Sequence, residues 1–271
     1  MAESDPLALA DTWDLVAEGF DRSVRELFGQ FGRRALKLVD PPADARVLDL
    51  ACGAGSLTIP AAGRVASVTA VDFSPRMVEA TRRRVAMARL GNVDVHLADG
   101  QALRLPDNSF DAAFSLFGLM FFPSRHRGLR ELGRVLRSGA LAVISSWPPM
   151  ASSPAMVAMV ESLAEATGAP LPDVEAPGPL GAESAIRSEV EAAGLDVVAI
   201  ERFDGRLTAQ TFDVVWGMAH DANAYLQLAK QQLGDRFPAV VDQLASGLRQ
   251  RLGEPPYDLP LPAIMTLVRV R

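Results

Sequence analysis

Three features of the chain predict an α/β fold built on a mostly parallel sheet with crossover helices. Strand and helix signals alternate from Ala45 onward. The connections between them are short, as in "RSGA" at 137–140. A bend of small residues, "ACGAG" at 51–55, follows the first apolar strand. The 271 residues suffice for one such domain with an added cap, or for two modest units.

The first strands are predicted at 46–50, 67–72, 93–98, 110–116 and 140–147. Helices fill the gaps: one opens after Gly55, one runs over 75–89 with Ser74 as N-cap, and one spans about 125–136 and stops before Gly139. Beyond Trp147 the alternation loosens. "WPPMASSP" breaks the chain, "AMVAMVESLAEATG" reads as an apolar-rich helix, and "APLPDVEAPGPLG" is too rich in proline and glycine for regular structure. "ESAIRSEVEAAG" then reads as an amphipathic helix, "LDVVAIERF" as a strand and "LPAIMTLVRVR" as the terminal strand. The helical pattern over 211–252 is too long for a hairpin loop and is expected to form a cap, while the segment before Pro41 reads as helices outside the sheet. The resulting division is 1–40 for N-terminal helices or a lid, 41–150 for the core, 151–205 for a helical insertion with a helix and the sixth strand, 206–259 for the helical cap, and 260–271 for the final strand.

Composition excludes several classes. No apolar run reaches the ~18 residues of a membrane span, and the N-terminus "MAESDPLALADTWD" is too acidic for a leader, so a cytoplasmic location is expected. A net charge of −6 speaks against a nucleic-acid partner; the run Arg82, Arg83, Arg84 reads as a solvated helix face. The single cysteine, Cys52, excludes an internal disulfide and reads first as a packing residue. No histidines stand at metal-ligand spacing, so no metal is expected.

Asp49 sits in the apolar strand just before the bend, where a carboxylate loses water and needs a partner. Gly53 and Gly55 let a ligand approach the backbone. A dinucleotide pyrophosphate suits such a bend, yet Ser56 and Leu57 stand where a third glycine is sought and Asp49 repels an anion. S-adenosylmethionine carries an ammonium and a sulfonium, which a carboxylate favours. "VLDLACGAG" resembles the first motif of class I S-adenosylmethionine-dependent methyltransferases, in the form seen in quinone-biosynthesis C-methyltransferases and related small-molecule enzymes, with Ala51 at a position usually held by glycine. "VTAVDFS", "HLADGQALRLPDNSFD" and "SLFGLMFFPS" continue the resemblance in order over residues 45–147.

The resemblance implies a Rossmann-like seven-stranded, mostly parallel sheet with an antiparallel last strand and helical cap insertions. It implies S-adenosylmethionine as cofactor, held by Asp49, Ala51, Gly53 and Gly55 in the first motif, by Asp72 at the ribose hydroxyls, and by Asp99, Gly100 and Gln101 at the adenine. Phe73 either lies against the adenine or is a core residue, and Asp99 has the alternative of a plain loop cap. Ser115 and Phe117 occupy the place of backbone carbonyls that face the methionine ammonium. The implied reaction is in-line displacement onto a small, largely apolar acceptor: a quinone precursor, an aromatic or a secondary metabolite. Phe117, Met120, Phe121, Trp147, Trp216, His220 and Tyr225 are the expected acceptor wall, although the apolar run around Phe121 reads equally as core. Of the three histidines, His220 is the candidate catalytic base, since His96 lies within a strand and His126 starts a helix. Trp13 and Phe20 are either a lid over the cofactor or core residues. The alternatives are a protein that binds S-adenosylmethionine without transferring methyl and an NAD(P)-dependent oxidoreductase. The oligomeric state, a homodimer included, is left open.

Overall fold

The structure is a computed structural model that describes residues 5–271; residues 1–4, which belong to the acidic N-terminus read above as no leader, lie outside the described residues. Strands β1 (Arg46–Leu50), β2 (Ser67–Asp72), β3 (Val93–Leu97), β4 (Phe110–Leu116), β5 (Leu136–Ser146), β6 (Leu195–Phe203) and β9 (Ala263–Val270) form one sheet in the order β3-β2-β1-β4-β5-β9-β6. The first five strands pair in parallel. Strand β9 runs antiparallel to both β5 and β6, as the resemblance implies.

Burial explains the apolar content of the strands. Val47, Leu48 and Leu50 of β1 and Ala113 and Phe114 of β4 are fully buried, as expected of central parallel strands covered on both faces. The crossover helices α4 (Thr58–Ala62), α5 (Pro75–Met87), α6 (Arg125–Val135) and α8 (Glu183–Ala192) pack against the sheet. Ser74 and Ser124 cap α5 and α6, each accepting a backbone N–H three residues on.

Strand β5 starts four residues earlier than expected, at Leu136, because the register with β4 shifts between Phe110 and Ala112 and takes "RSG" into the strand. A short antiparallel ribbon of β7 (Arg206–Ala209) and β8 (Tyr257–Pro260) was not anticipated. Its strands have only four residues each, too few for a periodic signal, and β8 ends in a proline at an edge, where the missing N–H costs no ladder bond.

Two helical groups lie outside the sheet. At the N-terminus, α1 (Ala10–Asp14) and α2 (Ala17–Gly19) lead through a π-type turn (Phe20–Val24) into α3 (Arg25–Val39), which packs on β4, β5 and β9. The second group is α7 (Pro154–Thr167), α9 (Phe212–Asp221), α10 (Ala224–Leu233) and α11 (Phe237–Leu252). Arg251 of α11 reaches Glu161 at 3.0 Å and also pairs with Glu165, tying α11 to α7. The two groups touch closely: a Cβ at Gly19 would lie 2.1 Å from the carbonyl oxygen of Asp221, and one at Gly217 would lie 2.9 Å from Ser23 Oγ.

Phe31 of α3 ties the N-terminal group to the sheet. Its ring is fully buried and meets Phe28, Phe117, Trp147 and Phe203 at centroid distances of 5.0–6.0 Å. Truncating such a ring leaves a cavity and removes buried apolar surface. Phe31→Ala is expected to lower unfolding free energy by about 3–5 kcal/mol, read as a fall in the urea midpoint; a change below about 1 kcal/mol would show that the ring is not central to the core.

Candidate active site

A cavity of about 610 Å³ opens at the carboxyl ends of β1, β2, β3 and β4. The chain order places it where β1 has β2 on one side and β4 on the other, the switch point at which open α/β sheets take ligands. Helix α1 supplies Trp13 and the turn after α2 supplies Phe20 to its roof, and the loop between α9 and α10 supplies Ala222 and Asn223.

The first bend is shaped by three positive φ angles: 58° at Ala51, 54° at Gly53 and 76° at Gly55. Gly53 lines the cavity, and a Cβ there would meet nothing within 4 Å, so the backbone edges open space. Ala51 accepts a conformation that costs a residue with a Cβ about 1 kcal/mol. Its methyl group fills the place a side chain at residue 118 would need: a Cβ on Gly118 would lie 2.2 Å from Ala51 Cβ. The bends after β1 and β4 are therefore matched, alanine against glycine.

Asp49 is 2% exposed and accepts a hydrogen bond of 2.5 Å from Thr58 Oγ1. Burial pushes its carboxyl up to about 7, against the opposing Thr58 bond and with a further upward push from the nearby Asp72. Asp72 closes β2. Its Oδ2 accepts the Gly53 N–H at 2.8 Å and its Oδ1 accepts the Ser74 N–H at 3.0 Å. Burial pushes it up to about 6, the amide bonds hold it down, and Asp14 raises it. Asp99, after β3, is exposed and accepts the Gln101 N–H at 2.8 Å, while Gln101 Oε1 accepts from Ser124 N at 2.9 Å. Phe122 lies over Gly100, where a Cβ would come within 2.6 Å of its ring. Phe73 is half-buried and lines the cavity beside Asp72. Cys52 also lines it, with burial pushing its thiol up.

The opposite wall is apolar. Phe117 has a φ of 59° and is held by a 3.0 Å bond from its N–H to Ser145 Oγ. Its ring stacks on Trp147 at 4.0 Å with an interplanar angle of 18°, and Phe28 meets both edge-on. Met156, Met218 and Leu261 complete this side, and Phe121 touches Trp13 at 5.1 Å. Because the sheet runs β3-β2-β1-β4-β5, the three aspartates lie at the β3–β1 end and the stacked pair lies beyond β4 and β5. Among the described residues that line the cavity none is Lys, Arg or His, so the carboxylates suit a ligand bearing cationic groups.

Of the residues singled out in the sequence, Asp49, Ala51, Gly53, Asp72, Phe73, Asp99, Gly100, Gln101, Phe117, Phe121, Trp147 and Tyr225 line this cavity together. Five do not. Gly55 faces α5, 3.1 Å from Thr81 Oγ1 by its virtual Cβ. Ser115 is buried within the sheet, its hydroxyl without a partner among the described residues, and the next two residues, Leu116 and Phe117, line the cavity. Met120 turns into the core on the three-residue turn Leu119–Phe121, which sends Phe121 to the cavity. Trp216 and His220 are placed differently from the sequence reading for a helical reason. Met218 and Ala222, four residues apart, face the cavity; Trp216 and His220 lie two residues off that stripe, about 200° around the helix. His220 instead stacks on Trp216 at 5.2 Å, contacts Asp221 Oδ1 through Nδ1 at 2.8 Å, and approaches Phe237. Sequence reasoning missed Thr58, Phe28 and Met218. Thr58 carried a signal, since a hydroxyl at the start of a helix after a buried aspartate can serve as its donor.

Residues 47–139 match a family described as a methyltransferase domain. Nocamycin O-methyltransferase of Saccharothrix syringae is 30% identical over 275 residues, covering 96% of this chain and 97% of that protein. Aklanonic acid methyltransferase DauC of Streptomyces sp. (strain C5) is 28% identical over 141 residues, covering 51% of this chain and 64% of that one. Among solved structures, the [4+2]-cyclase SpnF has a TM-score of 0.57 at 19% identity, covering 89% of this chain and 80% of that one. A methyltransferase structure from Bacillus halodurans C-125 has a TM-score of 0.58 at 16% identity, covering 89% and 98%. Likeness at these identities shows a common fold.

The raised carboxyls have a consequence for stability. Between the ordinary aspartate value of about 3.9 and about 7, the folded protein retains the Asp49 proton that the unfolded chain gives up, so this group lowers stability as pH rises through that window and its cost is constant above it. Asp49→Asn keeps an acceptor for Thr58 and removes the titration. The variant's stability relative to wild type is expected to increase from pH 4 to pH 7 by a few kcal/mol and then level off, in urea unfolding followed against pH; a constant difference across that range would contradict the buried-carboxyl account.

Proposed function

The chain belongs to the class I S-adenosylmethionine-dependent methyltransferases, and from that premise we propose that it methylates a small, largely apolar acceptor and that the cavity is where it does so. The membership sets aside the dinucleotide alternative, and the turnover assay below separates methyl transfer from cofactor binding without transfer. S-adenosylmethionine, when bound, supplies a methyl group on a sulfonium.

The residues present fit that cofactor by charge and by clearance. Asp49 stands at the bend and suits the cationic methionine end, and Gly53 leaves the backbone open beside it. Asp72 keeps a free lone pair on each oxygen after its two amide bonds, which suits a pair of ribose hydroxyls. Asp99, with Gly100 and Gln101, suits the adenine edge, and Phe73 its face. Leu116 and Phe117 line the cavity where backbone carbonyls can meet the methionine ammonium.

The observation that carries the acceptor reading is the division of the cavity into an acidic end and an aromatic end. Trp147 stacked on Phe117, with Phe28, Met156, Met218 and Leu261, favours a flat apolar molecule and keeps water away from it. Exclusion of water helps a nucleophile that meets a cation, because fewer hydrogen bonds to solvent must be lost. Tyr225 stands at the mouth, half exposed, and can meet a polar edge of the acceptor. The names of the nocamycin and aklanonic acid relatives support a secondary metabolite, and the first of them supports oxygen as the methylated atom. With His220 turned away, positioning and desolvation carry more of the work than a histidine base. No helix among the described residues is long and apolar enough to cross a membrane, and a cytoplasmic location is part of the proposal.

Two aspartate variants and a turnover assay test this reading. Loss of a hydrogen bond to a charged acceptor costs about 1.5–3 kcal/mol, so Asp72→Ala and Asp99→Ala are each expected to weaken S-adenosylmethionine binding by about tenfold or more in calorimetry. Wild-type protein should release S-adenosylhomocysteine with hydroxylated polycyclic aromatics. Unchanged affinity in both variants would overturn the cofactor placement, and turnover confined to small hydrophilic acceptors would overturn the acceptor class.

A further inference from the structure

Asp14 lies in α1, remote in sequence from the motifs around the cavity, yet its carboxylate reaches one of the cavity's supports. Its Oδ1 accepts the Ser74 hydroxyl at 2.5 Å and the Arg76 N–H at 3.0 Å. Ser74 is fully buried; its Oγ accepts the Met77 N–H at 3.1 Å and its own N–H donates to Asp72 Oδ1 at 3.0 Å. Asp72 in turn accepts the Gly53 N–H through its other oxygen. A continuous chain of hydrogen bonds thus runs from the N-terminal helix, through the first turn of α5, to the carboxylate at the end of β2 and the bend after β1.

The same segment is fixed a second time. Asp21 lies 3.8 Å from both Arg83 and Arg84, and Arg84 donates to the Ala54 carbonyl in the bend. Trp13 and Phe20, each next in sequence to one of these two carboxylates, are aromatic residues that line the cavity. An ordinary N-cap at Ser74 needs no outside carboxylate. Here the serine hydroxyl donates outward, which fixes its rotamer and orients the residue whose N–H meets Asp72.

We propose that Asp14 is a positioning residue of the cofactor site, which sets the orientation of Asp72 through Ser74 and so makes ribose binding depend on the docked N-terminal helix. This rests on the reading that Asp72 takes the ribose hydroxyls. Asp14 touches no ligand itself. Its effect is specific to the part of the cofactor that Asp72 meets, which separates it from a general loss of the roof.

Calorimetric dissociation constants for S-adenosylhomocysteine and its 2′- and 3′-deoxy analogues test it in wild type, Asp14→Ala, Asp14→Asn and Asp72→Ala. Asp14→Ala is expected to weaken S-adenosylhomocysteine about tenfold and the deoxy analogues less than about threefold. Asp14→Asn keeps an oxygen for both donors and should restore binding of all three ligands to within about threefold of wild type. An equal loss for all ligands in Asp14→Ala, or no loss at all, would overturn the proposal, as would an Asp14→Asn variant as weak as Asp14→Ala. Asp72→Ala reads the underlying assignment separately: wild-type affinity there removes the ribose role of Asp72, whereas lost affinity there with wild-type affinity in Asp14→Ala removes only the role of Asp14.

Discussion

A buried carboxylate at the end of the first strand is the constraint on which the site depends. Asp49 is held in an apolar strand with Thr58 as its hydrogen-bond partner, and burial keeps its carboxyl protonated up to about 7. A buried acid of this kind is costly to ionise without a partner of opposite charge. The cost is met in a ligand-bound protein by a cation, and the cavity beside Asp49 is bounded by two more aspartates and by no basic side chain among its described lining residues. Charge thus explains why the bend suits a sulfonium-bearing cofactor better than a pyrophosphate, whichever glycines are present.

The remaining architecture keeps this site dry and divided. The sheet order sends the acidic residues to one side of the switch point and the stacked Phe117–Trp147 pair to the other. The roof comes from the N-terminal helices and from the α9–α10 junction. These two parts meet where Gly19 lies against Asp221 and Gly217 lies against Ser23, with Arg22 and Asp221 paired at 2.8 Å. Asp221 holds its carboxyl below the usual range: burial acts against this, and the bonds from His220 and Arg22 outweigh it. The histidine that the sequence reading offered as a base therefore belongs to the joint between the N-terminal helices and α9.

The strands, their order of appearance and the acidic residues at their ends were legible in the sequence, because apolar runs, glycines at a bend and aspartates at strand ends are local signals. The placement of Asp49, Asp72 and Asp99 around one cavity was implied by the family resemblance that their motifs carry in order. What was not legible depended on orientation and on distant contacts. His220 and Trp216 shared a stretch with Met218, and nothing local showed which helical face met the cavity. Ser115 and Met120 lay in an apolar run whose alternation broke at a three-residue turn. The β7–β8 ribbon pairs segments about fifty residues apart, and strands of four residues carry little pattern. Thr58 and Asp14 became visible only as partners of aspartates brought to them by the fold.

Proton release on cofactor binding tests the role of Asp49 most directly. At pH 6.5 a carboxyl titrating near 7 is mostly protonated, and a neighbouring cation favours its ionised form. Calorimetry of S-adenosylmethionine binding in buffers of different ionisation enthalpy should give about 0.5–0.75 proton released per ligand in the wild-type protein, with most of that release absent in Asp49→Asn. Binding without proton release at this pH, or the same release from the variant, would contradict the account.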